Sequence, residues 1–160
     1  MMHNFTDVLK TQTYEMHEKL DNAPLLSQVM SPQLSKADYS SLLQKMYRCF
    51  DIVETAARQA GGDQVFQDYF YQSRKGSLQS DLEALESPGE SARSNAVGAP
   101  RSASSAVGML YVLHGSSMGG QFIARKLATQ MPPNTLRFYG QSAEFIPDFK
   151  RFKEKVNAEE

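Results

Sequence analysis

The apolar residues of this chain recur at spacings of three and four, which places them along one side of an α-helix. Thr6 is a candidate N-cap for the first such helix, and Pro24 closes the segment. Ser35 and Asp38 form a weak relative of the capping box ahead of a second helix, which ends at Gly61 and Gly62. The two apolar stripes consist of Phe5, Leu9, Thr13, Met16 and Leu20, and of Tyr39, Leu42, Leu43, Met46, Tyr47, Phe50 and Val53.

The second half of the chain continues the helical pattern with interruptions. Residues 63–86 predict two shorter helices separated at Gly76, and residues 87–104, rich in Ser, Ala, Gly and Pro, predict a flexible surface loop. A long helix is expected from about Ser105 to Gln130, and a last one from about Pro147. Because no segment alternates with period two, the chain is expected to be all-α, a single domain over residues 1–160 with five to seven packed helices.

Composition narrows the class of protein. Seventeen Lys and Arg against eighteen Asp and Glu leave a formal charge of -1, which gives nucleic acid no attractive field. No stretch approaches about 18 uncharged apolar residues, so neither a membrane span nor a secretory signal is expected. The single cysteine, Cys49, excludes a disulfide within one chain and fits a cytoplasmic location.

The glycines of the sequence HGSSMGG, residues 114–120, are unusual inside a predicted helix. The three of them cost that helix about 2–3 kcal/mol relative to alanine, so packing or function must offset them. Gly115 and Gly119 lie one helical turn apart, which leaves bare backbone that could approach a flat ligand or a neighbouring helix. Both interpretations stay open. A phosphate-binding loop and a serine-nucleophile elbow are disfavoured, because no strand precedes the glycines.

His17 is the second unusual residue, since it borders the apolar stripe of the first helix. One ring nitrogen could bind a metal while Asp21, four residues on, orients the other. The alternative is a hydrogen-bonded structural histidine. His114 is expected in the core or at the surface, and His3 in a fraying end. A di-iron carboxylate centre is disfavoured, because the Glu-x-x-His arrangement that it needs occurs once at most, around Tyr14-Glu15-Met16-His17, without a matching second pair.

Two stretches together resemble the heme oxygenase family, the biliverdin-forming enzymes. The stretch LKTQTYEMHEKLDNAPLL at residues 9–26 is similar to the family's opening segment with its proximal heme ligand. The stretch GMLYVLHGSSMGGQFIARKL at residues 108–127 is similar to the bacterial distal helix. Between them, SRKGSLQSDLEAL at residues 73–85 resembles the family's Arg-x-x-x-Leu-x-x-Asp-Leu run. The resemblance implies a helical bundle with heme held between the first helix and the long glycine-containing helix.

The resemblance also assigns roles to individual residues. It makes His17 the iron ligand and places Gly115, Ser116 and Gly119 at the catalytic distal face. Gly115, Gly119 and Gly120 are then heme-binding glycines. Lys10 matches a propionate-binding residue and Lys150 a second one, with Arg151 and Lys153 as nearby substitutes.

The activity implied by the resemblance is oxidative cleavage of heme to biliverdin, carbon monoxide and ferrous iron. Heme is both cofactor and substrate, dioxygen is the oxidant, and the electron donor is expected to be ferredoxin or flavodoxin with its reductase. Such an enzyme needs neither nucleic acid nor membrane as a partner.

Three departures from the family pattern keep alternatives open. Ser116 stands where the animal enzymes have aspartate, and His114 stands where bacterial relatives usually have glutamate. The chain ends at Glu160, where the family normally continues with another helix, so a less closed pocket is expected. A second imidazole near the iron would favour a non-catalytic heme carrier or sensor on the same fold. The remaining alternative is a helical interaction module whose glycines serve packing only.

Overall fold

The structure is a computed structural model that describes residues 4–66, 68–87, 89 and 102–158. Within these ranges it consists of helices joined by turns, without a β-strand. The helices are α1 (Phe5–Asp21), α2 (Pro24–Val29), α3 (Lys36–Gln59), α4 (Lys75–Ala84), α5 (Ala103–Gly115), α6 (Gly120–Leu127), α7 (Arg137–Gly140) and α8 (Ile146–Ala158). Short 3-10 turns occupy Gly62–Gln64, Pro133–Thr135 and Ser142–Phe145. The predicted all-α class is confirmed.

Helix α3 is the centre of the bundle and packs against α4 on one side and α5 on another. It begins as its sequence predicts, because the Ser35 side chain accepts a hydrogen bond of 3.0 Å from the Asp38 amide. Its apolar stripe is buried in the core, and the Tyr39 hydroxyl donates to the Thr135 carbonyl at 2.9 Å. The helical spacing of the apolar residues therefore correctly predicted the central helix of the bundle.

The first half of the 63–86 segment is not helical, so the prediction of two helices separated at Gly76 was wrong. The described residues between the turn at Gly62–Gln64 and the start of α4, residues 65, 66 and 68–74, are not helical, and Gly76 lies inside α4. Phe66 and Tyr69 are buried along this irregular path, with ring centroids 6.0 and 5.6 Å from that of Phe152 in α8. Burial against another helix thus overrides the local helical spacing.

The predicted long helix from Ser105 to Gln130 was also wrong in one respect. The chain forms two helices there, α5 and α6, separated by a turn at residues 116–119. The predicted loop at 87–104 ends earlier than expected, because Ser102 caps α5 by accepting a hydrogen bond from the Ser105 amide. Residues 88 and 90–101 of that loop lie outside the described ranges.

The start of α1 differs from the prediction as well, since its N-cap is Asn4 rather than Thr6. Thr6 is buried and faces the end of α8. Its amide donates to Asn157 Oδ1 and its Oγ1 accepts from Asn157 Nδ2, each at 3.2 Å. This reciprocal pair fixes the first turn of α1 to the last helix.

A buried carboxylate joins α4 to α7. The two oxygens of Asp81 accept hydrogen bonds from the amides of Arg137 and Phe138, each at 2.8 Å, and its side chain is fully buried. Burial raises the pKa of Asp81, and the two amide donors oppose that rise. The Asp in the run that resembles the family motif therefore accepts from the first two amides of the short helix α7, which a side chain at its own N-cap, Leu136, cannot do.

Replacing Asp81 by alanine should lower the free energy of unfolding by about 2–4 kcal/mol, because two amide donors lose their acceptor inside the protein. Urea unfolding followed by circular dichroism measures this loss. Gln79→Ala is the matched control, since Gln79 lies exposed on the same helix. An equal loss in both variants would contradict the capping role.

Candidate functional site

Helix α1 presents uncovered apolar side chains beyond its anchored first turn. Tyr14, Met16 and Leu20 are 59%, 68% and 58% exposed, although each is large and apolar. Exposed apolar side chains grouped on one helix are typical of a surface that binds a ligand or a partner. The helix that the apolar stripe predicts is present, but the stripe's Met16 and Leu20 are exposed rather than packed into the core.

His17 lies on this uncovered part of α1, with its side chain 71% exposed. Its Nδ1 is 3.0 Å from Asp21 Oδ2, as the four-residue spacing predicts. When the imidazole is neutral, this contact makes Nδ1 the protonated nitrogen and leaves the lone pair on Nε2. The arrangement orients Nε2 as a nitrogen ligand.

The turn between α5 and α6 depends on Gly119. Its φ of 78° lies in the left-handed region, which glycine adopts without the cost that a side chain imposes. A Cβ at this position would meet nothing within 4 Å, so this backbone faces open space. The space is a cavity of about 260 Å³ lined by Ser117, Gly119, Gln121, Phe122, Arg125 and Ile146.

The other two glycines of the segment have different surroundings. A Cβ on Gly120 would lie 2.3 Å from Ser142 Oγ, so that glycine allows α6 to pack closely on the 3-10 turn before α8. A Cβ on Gly115 would make ordinary contact with the Phe149 ring at 3.9 Å. Helix packing accounts for Gly120 without a ligand, and Gly119 is the glycine of this group that lines the cavity.

Ser116 is the first residue of the turn and is held by two hydrogen bonds. Its hydroxyl donates to the Leu113 carbonyl at 2.5 Å and accepts from an Nη atom of Arg74 at 3.1 Å. Arg74 is buried, and burial lowers the pKa of its guanidinium to about 10. Sequence reasoning did not assign Arg74 to the site, although the SRKGSLQSDLEAL run contained the signal.

His114, the last residue but one of α5, is part of the core. Its Nε2 shares a hydrogen bond with the Tyr69 hydroxyl, and its ring stacks on Phe152 with centroids 5.0 Å apart. Burial lowers the pKa of His114 to about 4. Because Tyr69 already occupies Nε2 and the ring is 5% exposed, this imidazole is not placed as a second iron ligand.

The basic residues assigned to propionates are all at or near the surface. Lys10 is exposed on α1 and Lys150 is exposed on α8. Of the two substitutes, Arg151 pairs with Asp148, and the Lys153 ammonium lies 4.8 Å from the centroid of the Phe149 ring. The structure therefore leaves Lys10 and Lys150 accessible to an anionic ligand.

No group of three or more His, Cys, Asp or Glu is arranged to hold a metal ion in the described ranges. None of the helices described here has the length and apolar character that a membrane crossing requires. An iron held by a porphyrin needs only axial ligands from the protein, because the ring supplies four nitrogens.

The buried imidazole should make the stability of the protein depend on pH. Because the pKa of His114 falls from 6.5 to about 4 on folding, the unfolded chain binds the extra proton between these values. The free energy of unfolding should therefore drop by about 3 kcal/mol as the pH falls from 6.5 to 4.

Chemical denaturation at several pH values tests this drop in wild type and in His114→Gln. The glutamine keeps a partner for Tyr69 but does not titrate, so the variant should lose this part of the pH dependence. Gln79→Ala, an exposed substitution that removes no titratable group, is the control and should keep it. An unchanged pH profile in His114→Gln would contradict the assignment.

Comparison with known protein families matches the chain to the model described as Heme oxygenase, over residues 3–158. Comparisons with curated proteins and with solved structures found no match. The matched range includes α1 with His17, the turn with Gly119 and all of α8. Since this range covers nearly the whole helical chain, the protein belongs to the heme oxygenase family.

Proposed function

We propose that the protein binds heme between the uncovered part of α1 and the turn at residues 116–119, with His17 as the iron ligand. The observation that carries this proposal is the pairing of Asp21 with Nδ1 of an exposed His17, which directs the lone pair to Nε2. Metal-binding histidines commonly have their second ring nitrogen held by a carboxylate in this way.

The residues present fit a flat, largely apolar ligand with two carboxylates. Besides those of α1, large apolar side chains are exposed around the distal turn and the start of α8, namely Val112, Met118, Phe122 and Ile146. Binding heme would bury such side chains and remove their apolar area from water. Lys10 and Lys150 are the proposed partners of the two propionates, because both are exposed on helices that contact each other.

The proposed reaction is oxidative cleavage of heme to biliverdin, carbon monoxide and ferrous iron. Heme, as substrate and cofactor, supplies the iron that activates dioxygen and the ring that is opened. Gly119 leaves the distal side open, because its backbone carries no side chain there. Gly115 and Ser116 form the rest of the proposed distal face, while packing accounts for Gly120. The proposed electron donor is ferredoxin or flavodoxin with its reductase, and the proposed location is the cytoplasm.

The position of His114 favours this enzyme over a non-catalytic heme carrier. A carrier with two histidine ligands would need a second imidazole at the open face of the iron. His114 is instead buried against Phe152 and bonded to Tyr69, so the distal side keeps room for dioxygen.

Purified protein mixed with hemin should give a Soret band, and addition of a reductant in air should convert it into the absorption of biliverdin. Asp21→Asn should weaken hemin binding about tenfold, as is typical when a carboxylate behind a ligating histidine is altered. His17→Ala should weaken hemin binding further and remove most of the turnover, and added imidazole should restore part of that turnover. His114→Gln is the matched control and should retain the Soret band.

Two results would contradict this proposal. Full hemin affinity in a folded His17→Ala variant would show that His17 is not the ligand. A wild-type Soret band that survives reduction in air would exclude the proposed cleavage and leave heme binding alone.

Gly119→Leu should block the distal side and abolish most turnover, because a branched side chain would enter the cavity that Gly119 lines. The left-handed backbone adds a strain of about 1–2 kcal/mol for any side chain. Gly61→Leu is the matched control, since Gly61 has a φ of 82° and nothing within 4 Å of an added Cβ, but lies after α3. Comparable hemin turnover in both variants would contradict the role of Gly119.

A further inference from the structure

Arg74 is a buried cation whose described partners include no carboxylate. It is 3% exposed, and its two Nη atoms donate to Ser116 Oγ at 3.1 Å and to the Phe138 carbonyl at 2.9 Å. Its guanidinium carbon lies 4.0 Å from the centroid of the Phe138 ring and 5.2 Å from that of Phe145. The Nε atom is buried without a hydrogen-bond partner. Burying a cation among neutral partners is costly, so a role beyond packing is needed to explain it.

Two of the groups that Arg74 contacts, Ser116 and Phe145, are next in sequence to Ser117 and Ile146, which line the Gly119 cavity. Ser116 begins the turn that leads to Gly119. Phe145 directly precedes Ile146, which lines the cavity from the start of α8. Arg74 therefore connects the turn between α5 and α6 with the segment that leads into Ile146 at the start of α8.

The hydrogen bonds also fix the direction in which the Ser116 hydroxyl acts. A serine hydroxyl has one proton and two lone pairs. The proton is directed to the Leu113 carbonyl, and one lone pair accepts from Arg74. Only one lone pair is left for another partner. In this arrangement the Ser116 hydroxyl can accept one further hydrogen bond but cannot donate one.

We infer that Arg74 is a positioning residue of the heme site, which holds the distal turn in place and keeps the Ser116 hydroxyl as an acceptor. This inference rests on the proposed function. The forked guanidinium suits the task, because two of its nitrogens reach Ser116 and Phe138 at the same time. A lysine ammonium is a single point charge that does not reproduce this planar geometry.

Asp81→Asn provides the matched control for a purely structural role. Asp81 binds the amide of the same Phe138 whose carbonyl Arg74 binds, and it does so from the same part of the chain. It does not contact Ser116 in the hydrogen bonds described. A variant at Asp81 therefore weakens the same packing but leaves the hydroxyl of the turn as it is.

The test compares Arg74→Lys, Arg74→Met, Ser116→Ala and the Arg74→Met/Ser116→Ala double variant with Asp81→Asn. The first readout is the carbon–oxygen stretching frequency of the carbon monoxide complex of hemin-loaded, reduced protein. It should shift in both Arg74 variants and in Ser116→Ala, and it should shift no further in the double variant. Biliverdin formation should slow about tenfold in Arg74→Met, a size typical of lost support behind a site. Asp81→Asn should lower the melting temperature without moving the stretching frequency.

A second readout uses the protein without hemin. The amide resonances of Ser116 and Gly119 in a nitrogen-15 correlation spectrum should move in Arg74→Lys and stay in place in Asp81→Asn. If wild type fails to bind hemin, the proposed function fails, and these resonances alone decide the role of Arg74. Resonances and stretching frequency that respond equally to Arg74→Lys and Asp81→Asn, or to neither, would overturn the inference.

Discussion

The left-handed backbone of Gly119 is the constraint on which the site depends. A continuous helix from Ala103 to Leu127 would surround its backbone with side chains on every face. The turn at residues 116–119 interrupts that helix and leaves main chain beside a cavity. The turn is fixed at both ends, because Arg74 binds Ser116 at its start and Gly120 packs on Ser142 directly after it. Tertiary contacts on both sides of Gly119 thus hold the turn in place beside the cavity.

Two histidines of the chain, His17 and His114, lie in opposite environments. His17 is exposed and has one ring nitrogen directed by Asp21. His114 is enclosed by aromatic rings and keeps its imidazole neutral over the physiological range, because burial lowers its pKa to about 4. Both are hydrogen-bonded, so hydrogen bonding alone does not separate a candidate ligand from a structural residue. Accessibility of the second nitrogen does separate them.

Much of the helical architecture could be predicted from the sequence. The stripes of α1 and α3, the cap at Ser35 and the final helix near Pro147 all follow from local patterns, and the structure contains them. The break after Gly115 could not be predicted in this way, because the apolar spacing continues through it. The irregular path before α4 could not be predicted either. Phe66 and Tyr69 are buried there by Phe152, which is distant in sequence, and they do not belong to a helix.

For the candidate site, the sequence predicted the pairing of His17 with Asp21, which the structure contains, and the family resemblance pointed to the glycine-rich segment. The sequence could not show which of the three glycines serves packing and which lines the cavity. That depends on what each glycine faces in the folded chain: Phe149, the cavity or Ser142. Arg74 was overlooked because an arginine in a polar stretch is usually a solvated surface charge. Only the folded chain shows that it lies beneath the turn.

The hydrogen-bonded pair of Thr6 and Asn157 joins positions separated by 151 residues. α1 is synthesised before Asn157, so this contact cannot form until α8 has been made as well. The final position of α1 in the bundle, and with it the position of His17, therefore depends on a helix at the other end of the fold rather than on the local sequence around the histidine.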